Sequence, residues 1–402
     1  MAKVARIGDA HLPAEVLRRA EQVAAKIETA RRKLCEGIRP EDSLERVQKA
    51  AHRRREKQRA EMGASQLDPT LERTIEQNEI LSMGVFAEGF AASQAVGQIN
   101  VRLAGGLKRG TGFLVAPGVL VTNNHVIADP LEAASTLVEF EDIDPFGLAR
   151  AANVCAVDPN GLFFTDADLD VTFVTLDQEA RTRTAWLGWH PLVAQEGKIR
   201  IGDAINIIQY PRGTAKSVVM HNSHLLHLEN DSELHPFCWY SSDTEQGSSG
   251  APIFNARWEV VAVHHSSIPR RNDRGEIVNA GGEPLTAKQF ELDPDRAVYI
   301  ANEGARVSRI VHALSRAEFE SEAHAADRNA LLALWEESRV RNYGQQAARE
   351  GLTARFTRVT PLGAGAGAGA EALGTVGRAP GGASVGTPCG GIAIHLHFEV
   401  KA

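Results

Sequence analysis

Between Gln98 and His264 the chain breaks into short segments with a period of two, most of them separated by glycine, proline, aspartate or asparagine. They are Gln98–Leu103, Gly112–Val115, Val119–Thr122, Thr136–Glu141, Val171–Leu176, Ala204–Ile208, Ser217–His221, Phe237–Ser241, Ala251–Asn255 and Val260–His264. So many short strands joined by tight turns close into an antiparallel barrel or sandwich. The β-rich region is therefore expected to fold as one unit, with the rest of the 402 residues arranged around it.

Helical patterns flank this region. Val16, Ala20, Val23, Ile27, Ala30 and Leu34 recur at spacings of four and three, a heptad-like seam that Gly37 and Pro40 terminate. A second helix is expected from Asp42 towards Met62, with further helical pieces around Leu71–Leu81 and Val85–Val96. Helix returns near Val307–Leu314 and Arg328–Val340, the latter with Leu331, Leu334, Trp335 and Val340 as its apolar stripe. Residues 363–391 hold 11 glycines and 7 alanines and read as a linker, and Ile392–Val400 alternates strictly, as a strand does. The expected organisation is a basic helical arm (1–66), a helical lead-in (67–97), the β domain (98–315), a helical segment (316–362), the linker (363–391) and a terminal strand (392–402).

Composition excludes several classes. Hydrophobic residues are 43% and charged residues 24%, as in a globular protein, and no apolar run is long enough to cross a membrane. The first residues lack the apolar core of a secretory signal. Four scattered cysteines (Cys35, Cys155, Cys238, Cys389) make neither a disulfide framework nor a zinc cluster, which favours a cytoplasmic address. The net charge is −7, but residues 1–62 carry 16 Lys/Arg against 10 Asp/Glu. Such an arm docks on the acidic remainder or recruits a protein partner. The run Arg53, Arg54, Arg55, Lys57 and Arg59 reads as a solvated helical face, because no aromatic residues interleave it.

Three segments carry chemistry: Thr122-Asn123-Asn124-His125-Val126, Asp168-Leu169-Asp170-Val171-Thr172-Phe173, and Gly247-Ser248-Ser249-Gly250-Ala251-Pro252. A serine nucleophile needs a base, and the base needs a carboxylate to fix its tautomer. In this order and spacing, together with Gly110-Thr111-Gly112-Phe113, Gly202-Asp203, Gln209-Tyr210-Pro211 and Val261-Ala262-Val263-His264-His265, they resemble the chymotrypsin/trypsin-fold serine peptidases. The nearer resemblance is to bacterial trypsin-like peptidases related to glutamyl endopeptidases, over roughly Gln98–Leu314. It implies a mainly β fold of two six-stranded antiparallel barrels, with the N-terminal helical arm and C-terminal helices outside the resemblance.

The resemblance also implies roles. Ser249 attacks, His125 is base and then acid, Asp170 orients His125, and the Gly247 and Ser249 amides form the oxyanion hole. Asp168 competes with Asp170, and Ser248 with Ser249. The Gly-x-Ser-Gly-Ala-Pro pattern favours Ser249, and the buried strand after Asp170 favours Asp170. An α/β-hydrolase elbow fails because residue 251 is alanine and the chain order differs. His264/His265 and His395/His397 lack a third metal ligand, and no cofactor is implied.

Departures matter as well. Ser248 stands where digestive relatives carry an aspartate that pairs with a new N-terminus, so activation by that route is not expected. Asp243, six residues before Ser249, occupies the floor of the specificity pocket in trypsin-like relatives and implies Arg or Lys before the scissile bond. His264 and His265, assisted by Thr244 and Ser266, carry the competing preference for acidic side chains. A catalytically silent binding module, or a nucleic-acid contact through the basic arm, is the alternative to a peptidase acting on protein or peptide substrates. The arm itself offers no catalytic group and is expected to regulate or recruit.

Overall fold

The structure, a computed structural model, describes residues 14–38, 40, 84–141, 152–228 and 236–341. The expected helices over 42–62 and 71–81, the basic run, the glycine/alanine segment and the terminal strand lie outside the described residues.

Fourteen strands form two seven-stranded antiparallel sheets. The first contains β1 (Val96–Leu103), β2 (Gly106–Ala116), β3 (Val119–Thr122), β4 (Thr136–Phe140), β5 (Asn153–Ala156), β6 (Phe163–Asp166) and β7 (Val171–Thr175), in the order β5-β4-β1-β2-β3-β7-β6. The second contains β8 (Ile205–Gln209), β9 (Ser217–Val219), β10 (His224–Leu228), β11 (Phe237–Ser241), β12 (Pro252–Asn255), β13 (Val260–Pro269) and β14 (Tyr299–Arg306), in the order β10-β11-β14-β13-β12-β8-β9. Isolated bridges, Val157 to Leu176 and Ala204 to His224, join the two sides of each sheet and curl it towards a barrel.

The expected double β-barrel is present, with seven strands per sheet where six were expected. All ten expected strands form, and β5, β6, β10 and β14 are additional. Three of these have only four or five residues, and β14 interrupts its apolar residues with Asn302, Glu303, Gly304 and Arg306, so no period is visible.

Several strands are buried on both faces, which explains runs without alternation. In β7, Val174 faces the first barrel's core with Ile99, Leu114 and Leu120, whereas Val171 and Phe173 join the larger apolar layer outside it. In β8, Ile205 and Ile207 fill the second barrel's core, and Ile208 joins the outer layer.

Helices complete that layer. Helix α1 (Ala14–Cys35) buries Val16, Ala20, Val23, Ile27 and Ala30, the seam read from the sequence, in the cluster that holds Phe237, Trp239, Ile268 and Ile300. The seam therefore meets β10, β13 and β14 of the second barrel. Arg31 donates to the Ile300 carbonyl at 3.0 Å, and Arg271 pairs with Glu21 at 2.6 Å. At the other end, helix Glu322–Arg341 inserts Trp335, whose indole N–H donates to the Val115 carbonyl at 2.7 Å. Among the described residues no helix is long and apolar enough to cross a membrane.

Candidate active site

Sheet register brings the histidine and aspartate segments together. Strand β3 pairs with β7 so that Thr122 lies opposite Thr172. Because the strands are antiparallel, the residues just after β3 meet those just before β7. His125 lies in the first group and Asp170 in the second. Asn123 fixes the turn by donating its side-chain amide to the Asp170 carbonyl at 2.7 Å.

Asp170 receives both N–H groups of His125. The backbone N–H donates to Oδ1 at 2.9 Å, and Nδ1 lies 2.6 Å from Oδ2. A carboxylate only accepts, so this contact holds the proton on Nδ1 and leaves Nε2 as the basic nitrogen. Asp170 sits at φ 52°, a left-handed conformation that aspartate tolerates better than most residues. The carboxyl is buried while the His125 side chain is 49% exposed. Burial alone would raise the Asp170 pKa, but His125 and His265 outweigh it and hold the carboxyl well below the usual carboxylate range. Asp168 is exposed and has no part in this contact.

The serine turn belongs to the second barrel and is tied to the first through Thr111. The Thr111 N–H donates to the Ser249 carbonyl at 2.8 Å, and its hydroxyl donates to the Gly247 carbonyl at 2.8 Å. The same hydroxyl accepts the Tyr210 N–H at 3.1 Å. Gly250, at φ 87°, packs so closely that a Cβ would lie 2.1 Å from the Thr111 carbonyl oxygen. The turn separates the two serines. Ser248 is fully buried and its Oγ accepts the Glu245 N–H at 3.1 Å, while Ser249 is half-buried. The Ser248 N–H donates to the Glu245 carbonyl. Among the described residues, the N–H groups of Gly247 and Ser249 have no acceptor, and His125 Nε2 has no hydrogen-bond partner.

His265, one of the pocket residues the resemblance implies, lies behind the Asp170–His125 pair. Its Nδ1 lies 2.9 Å from Asp170 Oδ2, and its Nε2 lies 2.9 Å from Glu303 Oε1. Both nitrogens face carboxylates, so both carry protons and the ring is an imidazolium. Desolvation opposes that charge, but the two carboxylates outweigh it and move the pKa up to about 9. A β-bulge lies at this point. In the β13–β14 pairing His264 lies opposite Gly304 and Ser266 opposite Glu303, leaving His265 as the extra residue. The two rings lie on opposite faces of the strand: His264 meets Tyr240 on the side of the second barrel's core, and His265 stacks on Phe237 of the outer layer.

Sequence reading missed Glu303 and Arg19. Glu303 is fully buried on β14 and also accepts the Trp239 indole N–H at 2.8 Å and the Arg19 guanidinium at 2.6 Å. Arg19 lies three residues after Val16 and four before Val23, on the buried face of α1. A charged residue on an apolar seam was the available signal.

The remaining pocket candidates are placed as follows. Asp243 is exposed, and its carbonyl accepts from Gln209 Nε2 at 3.0 Å. Thr244 and Ser267 hydroxyls both lie on Asn302 Oδ1, at 2.8 and 2.7 Å. Ser266 is half-buried beside the bulge. His264 is buried, with Nδ1 2.7 Å from the Tyr240 hydroxyl. Desolvation, with the neighbouring charges of His265 and His125, lowers its pKa to about 3, so it is neutral. Among the described residues no group of three His, Cys, Asp or Glu side chains is arranged to hold a metal ion.

Residues 110–263 match the family model of the trypsin-like peptidase domain. An uncharacterized protein, y4fB, of Sinorhizobium fredii is 32% identical over 309 residues, covering 72% of this chain and 44% of that protein. Secreted RxLR effector protein 73 of Plasmopara viticola is 26% identical over 202 residues, covering 45% of this chain and 46% of that protein. The chain thus spans less than half the length of these curated relatives. Among solved structures, the Rv3671c protease of M. tuberculosis in its active form is similar at 15% identity and a TM-score of 0.37, covering 64% of this chain and 98% of that one. A serine endoprotease from Yersinia pestis is similar at 16% identity and a TM-score of 0.34, covering 47% and 60%.

Proposed function

We propose that the chain, whose residues 110–263 match the trypsin-like peptidase domain, is a serine endopeptidase whose triad is His125, Asp170 and Ser249. Ser249 Oγ attacks the scissile carbonyl carbon while His125 Nε2 takes its proton. The Asp170 contact keeps the Nδ1 proton in place and stabilises the imidazolium. The oxyanion is received by the Gly247 and Ser249 N–H groups. His125 then returns its proton to the leaving amine, leaving an acyl-enzyme that water hydrolyses by the same steps in reverse.

The observation that carries this reading is the serine turn. Ser249 is half-buried, and its N–H and that of Gly247 have no acceptor among the described residues, while its neighbour Ser248 is buried and occupied. Preorganised donors of this kind lower a transition state by about 3–4 kcal/mol each. A fluorophosphonate probe tests it. Labelling that survives Ser248→Ala and disappears in Ser249→Ala supports the assignment. The reverse pattern places the nucleophile at Ser248, and absence of labelling in the wild type favours a binding module.

For substrate choice, the exposed Asp243 carboxylate favours Arg or Lys before the scissile bond. A specific observation favours a second reading. In the tautomer whose Nδ1 accepts from the Tyr240 hydroxyl, 2.7 Å away, His264 keeps Nε2–H as a donor for an acidic side chain. A peptide library decides between them. Cleavage after Arg or Lys that weakens in Asp243→Ser supports the first, and cleavage after Glu that weakens in His264→Ala supports the second.

A further inference from the structure

Helix α1 reaches the triad through a buried column of alternating charge. Arg19, Glu303, His265 and Asp170 are 9%, 0%, 8% and 8% exposed. Arg19 Nη2 lies 2.6 Å from Glu303 Oε1, the same oxygen lies 2.9 Å from His265 Nε2, and His265 Nδ1 lies 2.9 Å from Asp170 Oδ2. The next contact is Asp170 with His125. A ring stack runs beside the hydrogen bonds. The Arg19 guanidinium lies 3.9 Å from the Phe237 ring centroid, and that ring stacks on His265 at 5.1 Å.

We propose that Arg19 is a positioning residue for catalysis, holding Asp170 and hence His125 in register through Glu303 and His265. The proposal rests on the triad assigned above. Its physical basis is charge balance. Arg19 and His265 are positive, Glu303 and Asp170 negative, so the four side chains together are neutral. Removing Arg19 leaves two buried carboxylates sharing one imidazolium. Uncompensated charge is costly in such a site, and the imidazolium is drawn towards Glu303, which weakens its hold on Asp170 Oδ2. The other ionisable groups around the column include Glu15 one turn before Arg19 on α1, with Oε2 3.9 Å from Arg19 Nη1, His264 on β13, Cys238 and Tyr240 on β11, and Arg306 at the end of β14. Near neutral pH His264 is neutral, and desolvation pushes Cys238 up to about 12 and raises Tyr240.

Two charge-changing variants and their combination test this, using the full chain and an ester substrate. Arg19→Met adds net negative charge behind Asp170 and stabilises protonated His125. Its acid limb in kcat/KM is expected to move to higher pH by about 0.3 or more, with kcat lowered on the order of 10–100-fold and KM little changed. Glu303→Gln removes a negative charge, so its limb is expected to move to lower pH. In Arg19→Met/Glu303→Gln the charges cancel, and the limb is expected to return towards the wild type. A merely structural role for Arg19 gives no opposed shifts and no cancellation. Should Arg19→Met fail to fold, the near-isosteric Glu303→Gln carries the test by its downward shift. Folded variants with wild-type kcat and coincident pH profiles overturn the proposal and leave the triad standing. A wild type with no Ser249-dependent hydrolysis overturns both.

Discussion

Thr111 is the point where the first barrel holds the second barrel's serine turn, and Thr111→Val isolates what its hydroxyl does. Valine keeps the volume and the backbone bonds, including the Thr111 N–H to Ser249 carbonyl contact. It removes the hydroxyl that donates to Gly247 at 2.8 Å and accepts from Tyr210 at 3.1 Å, in a fully buried position. Two buried polar groups are left unpaired, each costing about 1–3 kcal/mol, so a loss of roughly 2–6 kcal/mol is expected. Thermal unfolding should show it as a drop of roughly 4–12 °C. The Gly247 carbonyl also orients the turn that aims the Gly247 and Ser249 N–H groups. Misaiming one oxyanion donor costs up to about 10²–10³ in kcat, so a loss of about tenfold or more is expected in steady-state hydrolysis. Thr111→Ser keeps both hydroxyl bonds and removes one methyl, costing about 1 kcal/mol with kcat nearly unchanged. A Thr111→Val protein with wild-type Tm and kcat refutes the argument, as does a Thr111→Ser protein equally impaired.

Other perturbations follow from the same geometry. Asp170→Asn should lower kcat on the order of 10⁴-fold by presenting the wrong imidazole tautomer, while the exposed Asp168→Asn should change it little; steady-state kinetics separate them. Stability should fall on mild acidification. Desolvation lowers the pKa of His190, whose Nε2–H donates to the Ala92 carbonyl, to about 4 from the ordinary 6.5. The unfolded chain therefore binds the extra proton first, and about 3 kcal/mol present above pH 6.5 is lost as pH falls towards 4. His265 acts with the opposite sign: its contribution is complete below pH 6.5 and is lost as pH rises through about 9. Denaturant titrations across pH should therefore show a maximum between these limits, and His190→Gln should make the acid side shallower, the remainder coming from His264, whose pKa burial lowers to about 3. Ile27→Ala, at a fully buried seam position, should cost about 2–5 kcal/mol in denaturant unfolding if α1 is an integral layer of the second barrel. A change below about 0.5 kcal/mol would mean the helix is only loosely attached.

Local pattern determined a large part of this molecule. Period-two segments bounded by turn residues identified ten strands, because alternation and turn chemistry are properties of neighbours in sequence. The seam Val16, Ala20, Val23, Ile27 and Ala30 identified the buried face of α1, since helical spacing alone decides which side chains share a face. The order His125, Asp170, Ser249 limited the chemistry, since few residue sets can activate a hydroxyl.

What covers the α1 face, and what stands behind Asp170 and His125, were settled only in three dimensions. Nothing in the seam distinguishes a helical partner from a barrel wall, because both bury the same apolar area. Tandem His264-His265 gives no sign that one ring meets Tyr240 and the other Asp170, because what each face of a strand meets is set by the strands beside it and not by the strand itself. Glu303 and Arg19 are 284 residues apart. Their pairing exists because a helix near the start of the chain packs on a strand near the end of the second barrel. Burial then makes each charge require the next, an effect of low dielectric that no sequence window contains.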